Sequence, residues 1–138
     1  MSNRVIKVGL CGFGVVGQGV FDHLARKRSV LREQLGVEIV VSKIAVRNLD
    51  KIRDIEVDGS IVTGDALAVA TDPEIEVVCE LIGGTGIARE VTLVALKAGK
   101  IVITANKALI CDHGAELLSV AQEFGGHLLF EASVAGGI

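Results

Sequence analysis

The sequence is poor in aromatic side chains: it has no tryptophan, no tyrosine and four phenylalanines, which make up 3% of its 138 residues. Its net charge is −3. A nucleic-acid surface usually combines basic patches with rings that stack on bases, and binding hot spots between proteins are enriched in Trp and Tyr. The composition therefore argues against a nucleic-acid partner and against an aromatic protein-binding surface.

Cysteines are also scarce. Cys11, Cys79 and Cys111 lie far apart, form no C-x-x-C pair and have no histidines at a zinc-binding spacing. This pattern argues against a disulfide framework and against a zinc site. We expect three reduced thiols that act as small apolar fillers.

A long apolar run is missing as well. The longest stretch without a charge, Val8–Phe21, is rich in glycine, and it is shorter than the ~18 apolar residues of a spanning helix. The N-terminus carries no basic segment followed by the apolar core of a secretory signal. We expect a cytoplasmic protein without a membrane partner.

Short apolar strands alternate with amphipathic segments along the whole chain. Strands are predicted at Val5–Leu10, Glu38–Val46, Ile61–Thr63, Val77–Ile82, Ile101–Thr104 and Leu128–Phe130, and helices at Val16–Leu35, Asp65–Ala70, Ile87–Ala98 and Asp112–Phe124. This alternation predicts an α/β fold of the Rossmann type, a doubly wound parallel sheet in the order 3-2-1-4-5-6. Residues 1–138 fit one such domain, and ligands of this fold bind at the carboxyl ends of the strands.

A glycine-rich turn follows the first predicted strand. Gly12, Gly14 and Gly17 have the spacing G-x-G-x-x-G: the first allows a tight turn, the second lets the backbone approach a pyrophosphate, and the third lets the helix pack on the strand. The N–H groups at the start of that helix would hold the anion. The alternative is an ordinary strand-to-helix turn. The residues expected to contact a dinucleotide here are Gly12, Phe13, Gly14, Val15, Val16 and Gly17.

Arg47 ends the second strand, where an NAD-binding domain usually places an acidic residue for the adenosine ribose. A guanidinium would favour a 2′-phosphate by charge and by forked hydrogen bonds, so NADP(H) is slightly favoured over NAD(H). The alternative is a solvated arginine, with Asn48 or Asp50 reaching the ribose.

Other candidate residues follow the fourth and fifth strands. Lys107 could bind an anionic substrate or assist proton transfer, although a solvated surface lysine is the simpler interpretation. Asn106 beside it adds little, because Asn is common where a strand ends in a turn. Glu80 interrupts an apolar strand, so its carboxylate should pair with backbone N–H groups or a cation, and we favour a structural pairing over catalysis.

Five segments together resemble the amino-terminal part of one enzyme family. They read GFGVVGQGV, KIAVRN, ELIGGT, AGKIVITANKALI and FEASVAGGI, and in this order the chain resembles the nucleotide-binding part of homoserine dehydrogenase. The family interconverts L-homoserine and L-aspartate 4-semialdehyde with NAD(P), in the pathway toward threonine and methionine. The resemblance implies hydride transfer, a small amino-acid substrate, and a substrate-binding and dimerising domain beyond residue 138, hence a homo-oligomeric whole protein.

The resemblance also assigns roles to residues. Gly12 to Gly17 would hold the pyrophosphate, Arg47 the adenosine end, and Lys107 would lie near the reacting carbon. The ribose and nicotinamide side would be bound by Gly83, Gly84 and Thr85, with Asn106 and Lys107 beside them. The family also binds sodium, whose ligands would be Glu131, Val134, Gly136 and Ile138.

Two other functions remain open at this point. One is a stand-alone NAD(P)-sensing module that regulates a partner without chemistry, and the other is a different oxidoreductase of similar architecture. The segments TANKAL and EASVAGGI favour homoserine dehydrogenase over the second alternative. The stretch Thr85-Gly86-Ile87-Ala88 departs from the Pro-Ala pair of many relatives.

Overall fold

The computed structural model describes residues 4–47 and 57–130. Their elements, in chain order, are β1 (Arg4–Cys11), α1 (Val15–Arg26), α2 (Arg28–Leu35), β2 (Val37–Ala45), β3 (Val62–Thr63), α3 (Ala66–Thr71), β4 (Val77–Glu80), α4 (Gly86–Lys97), β5 (Ile101–Thr104), α5 (Lys107–Phe124) and β6 (His127–Phe130). The strands form one parallel sheet in the order β3-β2-β1-β4-β5-β6. The predicted fold class and strand order are confirmed.

Side chains alternate between the two faces of the sheet, and each face is covered by helices. Leu10, Ile44 and Cys79 belong to one buried layer, which includes Phe13 and packs against Val20 of α1. Their neighbours along the strands belong to the other layer, which contains buried residues of α3, α4 and α5. Burial on both faces explains why the strands read as nearly continuous apolar runs.

The amphipathic segment before β2 forms two helices, so the prediction of one helix over 16–35 is wrong. Lys27 separates α1 from α2 with backbone angles outside the helical range, φ −98° and ψ 6°. No residue of α2 is buried, and Leu35 is 61% exposed. The bend lets Arg28 donate from its Nε to a carboxylate oxygen of Glu38 in β2, at 2.7 Å.

Two element boundaries differ from the prediction because side chains bind the backbone. β4 ends at Glu80 and not at Ile82, since the N–H of Ile82 donates to Glu80 Oε2 at 2.7 Å and not to a strand. α5 begins at Lys107 and not at Asp112, because Asn106 caps it. The loop around Asp58-Gly59 leads through a short 3-10 turn into β3.

The three thiols occupy different environments. Cys11 and Cys79 are buried in opposite layers, and burial raises the pKa of Cys11 to about 12 and that of Cys79 to about 11. Both are therefore fillers, as expected. Cys111 is exposed on α5, so the same prediction is wrong for this residue.

Across residues 4–47 and 57–130, no helix is both long enough and apolar enough to cross a membrane.

Candidate functional site

An open cleft of about 880 Å³ lies at the carboxyl ends of β1, β2 and β4. Gly12 and Gly14 line it after β1, Arg47 after β2, and Gly83 after β4. The sheet order reverses between β1 and β4, and ligands of doubly wound sheets bind at this switch point. Residues that are far apart in the sequence therefore meet in one place, as the alternation of strands and helices predicts.

The fold requires glycine at two of the three motif positions. Gly12 has φ +110°, and a Cβ there would lie 2.6 Å from the carbonyl oxygen of Leu81. A Cβ on Gly17 would lie 2.5 Å from the carbonyl oxygen of Gly12. Gly14 differs, since a Cβ there would meet no atom within 4 Å. The fold thus accounts for Gly12 and Gly17, whereas Gly14 borders open space in the cleft.

The glycine turn is anchored on its far side. The Phe13 ring is buried and meets Phe21 edge to face, with centroids 5.9 Å apart. Gln18 Nε2 donates to the Phe13 carbonyl oxygen at 3.2 Å. Phe13 therefore positions the turn with its side chain and can offer only its backbone to the cleft.

The first turn of α1 has backbone donors available to an anion. Gly14 is the N-cap, and within the described ranges no side chain caps this helix. The first N–H groups of a helix have no partner inside the helix and carry the positive end of its dipole. Val15 and Val16 belong to this turn, and Val15 is 84% exposed. The turn can therefore bind a phosphate without any charged side chain.

Gly17→Ala should destabilise the fold by about 1–3 kcal/mol, the cost of an overpacked site, because its Cβ would collide with the Gly12 carbonyl. Gly19→Ala is the matched control on the same helix, where a Cβ meets nothing within 4 Å. Alanine favours the helix there by roughly 0.5–1 kcal/mol. Urea unfolding of the two variants checks this, and equal midpoints would contradict the close packing of Gly17.

Arg47 borders the cleft after β2 and is exposed. The preceding residue is fixed, since the N–H of Val46 donates to the Thr63 carbonyl oxygen at 2.8 Å. None of the described residues that line the cleft is acidic. The alternative ribose ligands Asn48 and Asp50 lie outside the described residues.

Glu80 is fully buried at the end of β4. Its Oε1 accepts from the Thr104 hydroxyl at 2.6 Å, and its Oε2 accepts from the N–H of Ile82 at 2.7 Å. Burial raises the pKa of the carboxyl, and these hydrogen bonds act in the opposite direction. The structural pairing expected for Glu80 is confirmed.

Asn106 has a larger role than the sequence indicated. Its Oδ1 accepts from the N–H of Leu109 at 3.0 Å, which caps α5. Its Nδ2 donates to the carbonyl oxygens of Ile82, at 3.0 Å, and Gly84, at 2.6 Å. The side chain thus joins the loop after β4 to the start of α5. Lys107 is exposed as the first residue of α5, ahead of the helix start predicted at Asp112.

The predicted cofactor-site residues fall into two groups. Gly12, Phe13, Gly14, Arg47 and Gly83 line the cleft. The others do not line the cleft but are connected to lining residues through the chain or through hydrogen bonds: Val15, Val16 and Gly17 in the first turn of α1, Gly84 and Asn106 through their hydrogen bond, Thr85 as N-cap of α4, and Lys107 beside Asn106.

The expected sodium ligands Glu131, Val134, Gly136 and Ile138 lie outside the described residues, so that site stays a prediction. Within residues 4–47 and 57–130, no group of three or more His, Cys, Asp or Glu side chains is arranged to hold a metal ion.

Solved structures share this architecture. The homoserine dehydrogenase of S. aureus at pH 8.5 superposes with a TM-score of 0.88 at 33% identity, over 95% of this chain and 33% of that one. The enzyme of Thiobacillus denitrificans gives 0.86 at 41% identity, over 96% and 31%. A hyperthermophilic archaeal homoserine dehydrogenase in complex with NADPH shares the fold, with a TM-score of 0.71 at 23% identity over 94% and 44%.

Sequence comparison points to the same family. The family described as "Homoserine dehydrogenase, NAD binding domain" matches residues 12–131. The homoserine dehydrogenase of Pseudomonas aeruginosa is 46% identical over 135 residues, and that of Bacillus subtilis is 39% identical over 135 residues. The matched region covers 98% of this chain but only 31% of the length of each of these two relatives. The chain belongs to the homoserine dehydrogenase family and corresponds to its NAD-binding domain.

Proposed function

We propose that this chain binds NADP(H) or NAD(H) in the cleft, as the cofactor domain of an enzyme that interconverts L-homoserine and L-aspartate 4-semialdehyde. The observation that carries the proposal is Gly14, which borders the cleft and has no steric reason within the fold to be glycine. A backbone without a side chain at this point lets a pyrophosphate approach closely. When bound, the nicotinamide supplies or accepts the hydride.

The residues of the cleft suit each part of a dinucleotide. The first turn of α1 presents N–H groups to the pyrophosphate. Arg47 and Gly64 border the β2 and β3 side of the cleft, where the adenosine end would lie. Gly83 borders the opposite side, beyond β4, where the ribose and nicotinamide would lie. The absence of acidic lining among the described residues avoids repulsion of the phosphates.

Lys107 is proposed to act on the substrate. Its neighbour Asn106 holds the Gly84 carbonyl, so α5 begins beside the nicotinamide side of the cleft. An ammonium group on a flexible stem at this position can hold the substrate oxygen near the reacting carbon and stabilise its changing charge. Lys107 is exposed, which leaves its ammonium free to contact a substrate.

The remainder of the enzyme is proposed to supply the other wall of the active site. Because the chain spans 31% of its relatives, most of their length is available for a substrate-binding and dimerising domain. The whole protein would then be a homo-oligomer, and its partners would be the dinucleotide and an amino-acid substrate.

The location of the site can be tested by titrating the ¹⁵N-labelled chain with NADPH. We expect the largest amide shifts at Gly12, Gly14, Val15 and Gly83, because these backbone groups border the cleft. Saturable binding whose shifts fall instead on the carboxyl-terminal half of α5 would place the ligand elsewhere.

Arg47→Asp should reverse a preference for NADP(H) over NAD(H). The expected change in the affinity ratio is about threefold to tenfold. Forked hydrogen bonds between a guanidinium and a phosphate are strong, but solvent screens them at an exposed site. Arg32→Asp makes the same charge change on exposed α2 and should leave the ratio unaltered. Calorimetry with both cofactors measures it, and an unchanged ratio in Arg47→Asp would show that this arginine does not reach the ribose.

A further inference from the structure

A buried carboxylate occupies the carboxyl end of the inner strand β4, where an apolar side chain would serve the fold. Glu80 pairs in register with Cys11 of β1 and Thr104 of β5, and its side chain is 0% exposed. Transferring a carboxylate from water into a protein interior is costly, and apolar replacements of buried charges are often neutral or stabilising. Stability of the sheet therefore gives no reason for a glutamate at this position.

The hydrogen bonds of Glu80 lead out of the core and toward the cleft. Its Oε2 holds the N–H of Ile82, two residues further along the chain. Its Oε1 accepts from Thr104 Oγ1, and that hydroxyl oxygen in turn accepts from the N–H of Asn106 at 3.0 Å. The Thr104 hydroxyl is therefore a donor to Glu80 and at the same time an acceptor from Asn106. Both carboxylate oxygens thus act as acceptors.

The hydrogen-bond network of Glu80, Thr104 and Asn106 fixes the loop after β4 from two sides. Glu80 holds the N–H of Ile82, and Asn106 Nδ2 holds the carbonyl oxygens of Ile82 and Gly84. Gly84 itself has φ +79°, a conformation that few other residues adopt readily. Three peptide groups of this short loop are thereby fixed by side chains from β4 and the start of α5, and Gly83 between them borders the cleft.

We propose that Glu80, acting through Ile82, Thr104 and Asn106, is a positioning residue that fixes the loop 82–84 as the nicotinamide-side wall of the cleft. This inference rests on the proposed function, because it presupposes a dinucleotide in the cleft. Because the loop is already ordered, no conformational entropy of the loop is lost when the nicotinamide binds. The network contributes to binding of the nicotinamide half and leaves the adenosine half, bound near Arg47, unaffected.

The test compares two ligands that differ only in the nicotinamide: NADPH and 2′-phospho-ADP-ribose. Glu80→Met keeps the approximate length of the side chain and removes both acceptors. Asn106→Asp keeps the helix cap, since Asp caps as well as Asn, but removes the donors to Ile82 and Gly84. Glu116→Gln is the control: it neutralises a carboxylate that pairs with Arg89 on the surface.

We expect the unaltered chain to bind NADPH at least about tenfold tighter than the fragment, the scale of one or two well-placed polar contacts. Glu80→Met and Asn106→Asp should bring that ratio to within about threefold of unity without changing the affinity for the fragment. The nicotinamide fluorescence shift that accompanies binding should be lost with the ratio. Glu80→Gln keeps an oxygen that can accept from the N–H of Ile82, so its ratio of NADPH affinity to fragment affinity should be intermediate. Glu116→Gln should have the same ratio as the unaltered chain.

Several outcomes would overturn the inference. One is an affinity ratio that is unchanged in both Asn106→Asp and Glu80→Met. Another is an equal loss of affinity for NADPH and for the fragment in these variants. The third is a ratio near unity in the unaltered chain. If Glu80→Met does not fold, Asn106→Asp decides. Failure of the unaltered chain to bind either ligand would instead refute the proposed function.

Discussion

Gly14→Val should abolish dinucleotide binding by this chain and leave its fold intact. Gly14 has φ −80° and ψ −153°, an extended conformation with negative φ that does not itself demand glycine, and a Cβ there would meet no protein atom within 4 Å. The branched side chain would instead stand in the cleft, where the pyrophosphate must approach the backbone. We expect the affinity to fall at least about a hundredfold, the equivalent of several lost contacts with a charged group.

Calorimetric titration with NADPH measures this loss, and circular dichroism with a urea melt verifies the fold. Gly19→Val is the matched control, because Gly19 is exposed on α1 away from the cleft and a Cβ there also meets nothing within 4 Å. Gly19→Val should bind as the unaltered chain does. If folded Gly14→Val bound NADPH within threefold of the unaltered chain, the phosphate would not lie against this glycine.

The second large effect concerns catalysis: these 138 residues should not oxidise homoserine, even when cofactor is saturating. Holding two reactants in the correct geometry accounts for roughly 7–11 kcal/mol of a bimolecular barrier. Among the described residues, the proposed substrate-positioning wall consists of Lys107 and the loop after β4. The second wall is proposed to come from the remainder of the enzyme, since the chain spans 31% of its relatives.

Absorbance of the reduced nicotinamide, followed with homoserine and NADP at high protein concentration, measures the rate. The full-length homoserine dehydrogenase of Pseudomonas aeruginosa is the positive control. Robust turnover by this chain, lost in Lys107→Ala, would mean that one domain holds a complete active site. Binding of the dinucleotide without turnover is the expected result. A sensing module would give the same result, so this assay tests only whether these 138 residues hold a complete active site.

The fold and the position of the cleft could be predicted because both follow from local patterns. Apolar strands alternating with helices predict the parallel sheet and its order, and ligands of such sheets bind at the carboxyl ends of the strands. The glycine spacing predicted the turn, and steric contacts at Gly12 and Gly17 confirm two of its three physical reasons. The third reason, close approach of a pyrophosphate to the backbone at Gly14, is tested by the Gly14→Val variant.

The errors arise where tertiary contacts override a local pattern. Its place at a strand end predicts that Asn106 is a simple turn residue, yet its Nδ2 donates to the carbonyl oxygens of Ile82 and Gly84, which are 24 and 22 residues away. Its position before a helical pattern is a capping signal, and that signal could have placed the start of α5 at Lys107. Apolar periodicity continues through Lys27, but it does not show that α2 turns toward Glu38.

The cost of burying Glu80 was evident from the sequence, but its partners were not. An unpaired carboxylate in an apolar strand requires compensation, and this requirement predicted a structural pairing. Thr104 is 24 residues away on the neighbouring strand, and only the register of β4 with β5 brings the two side chains together. Register between parallel strands is set by packing of the whole sheet, which a single sequence does not reveal.

Calorimetric titration of the unaltered chain with NADPH and NADH decides whether this domain binds a dinucleotide. We expect one site per chain and a Kd between about 1 μM and 1 mM, the range typical of enzyme KM values, with NADPH the tighter ligand. A chain that is folded by circular dichroism yet releases no heat of binding with either cofactor at millimolar concentration would contradict the account.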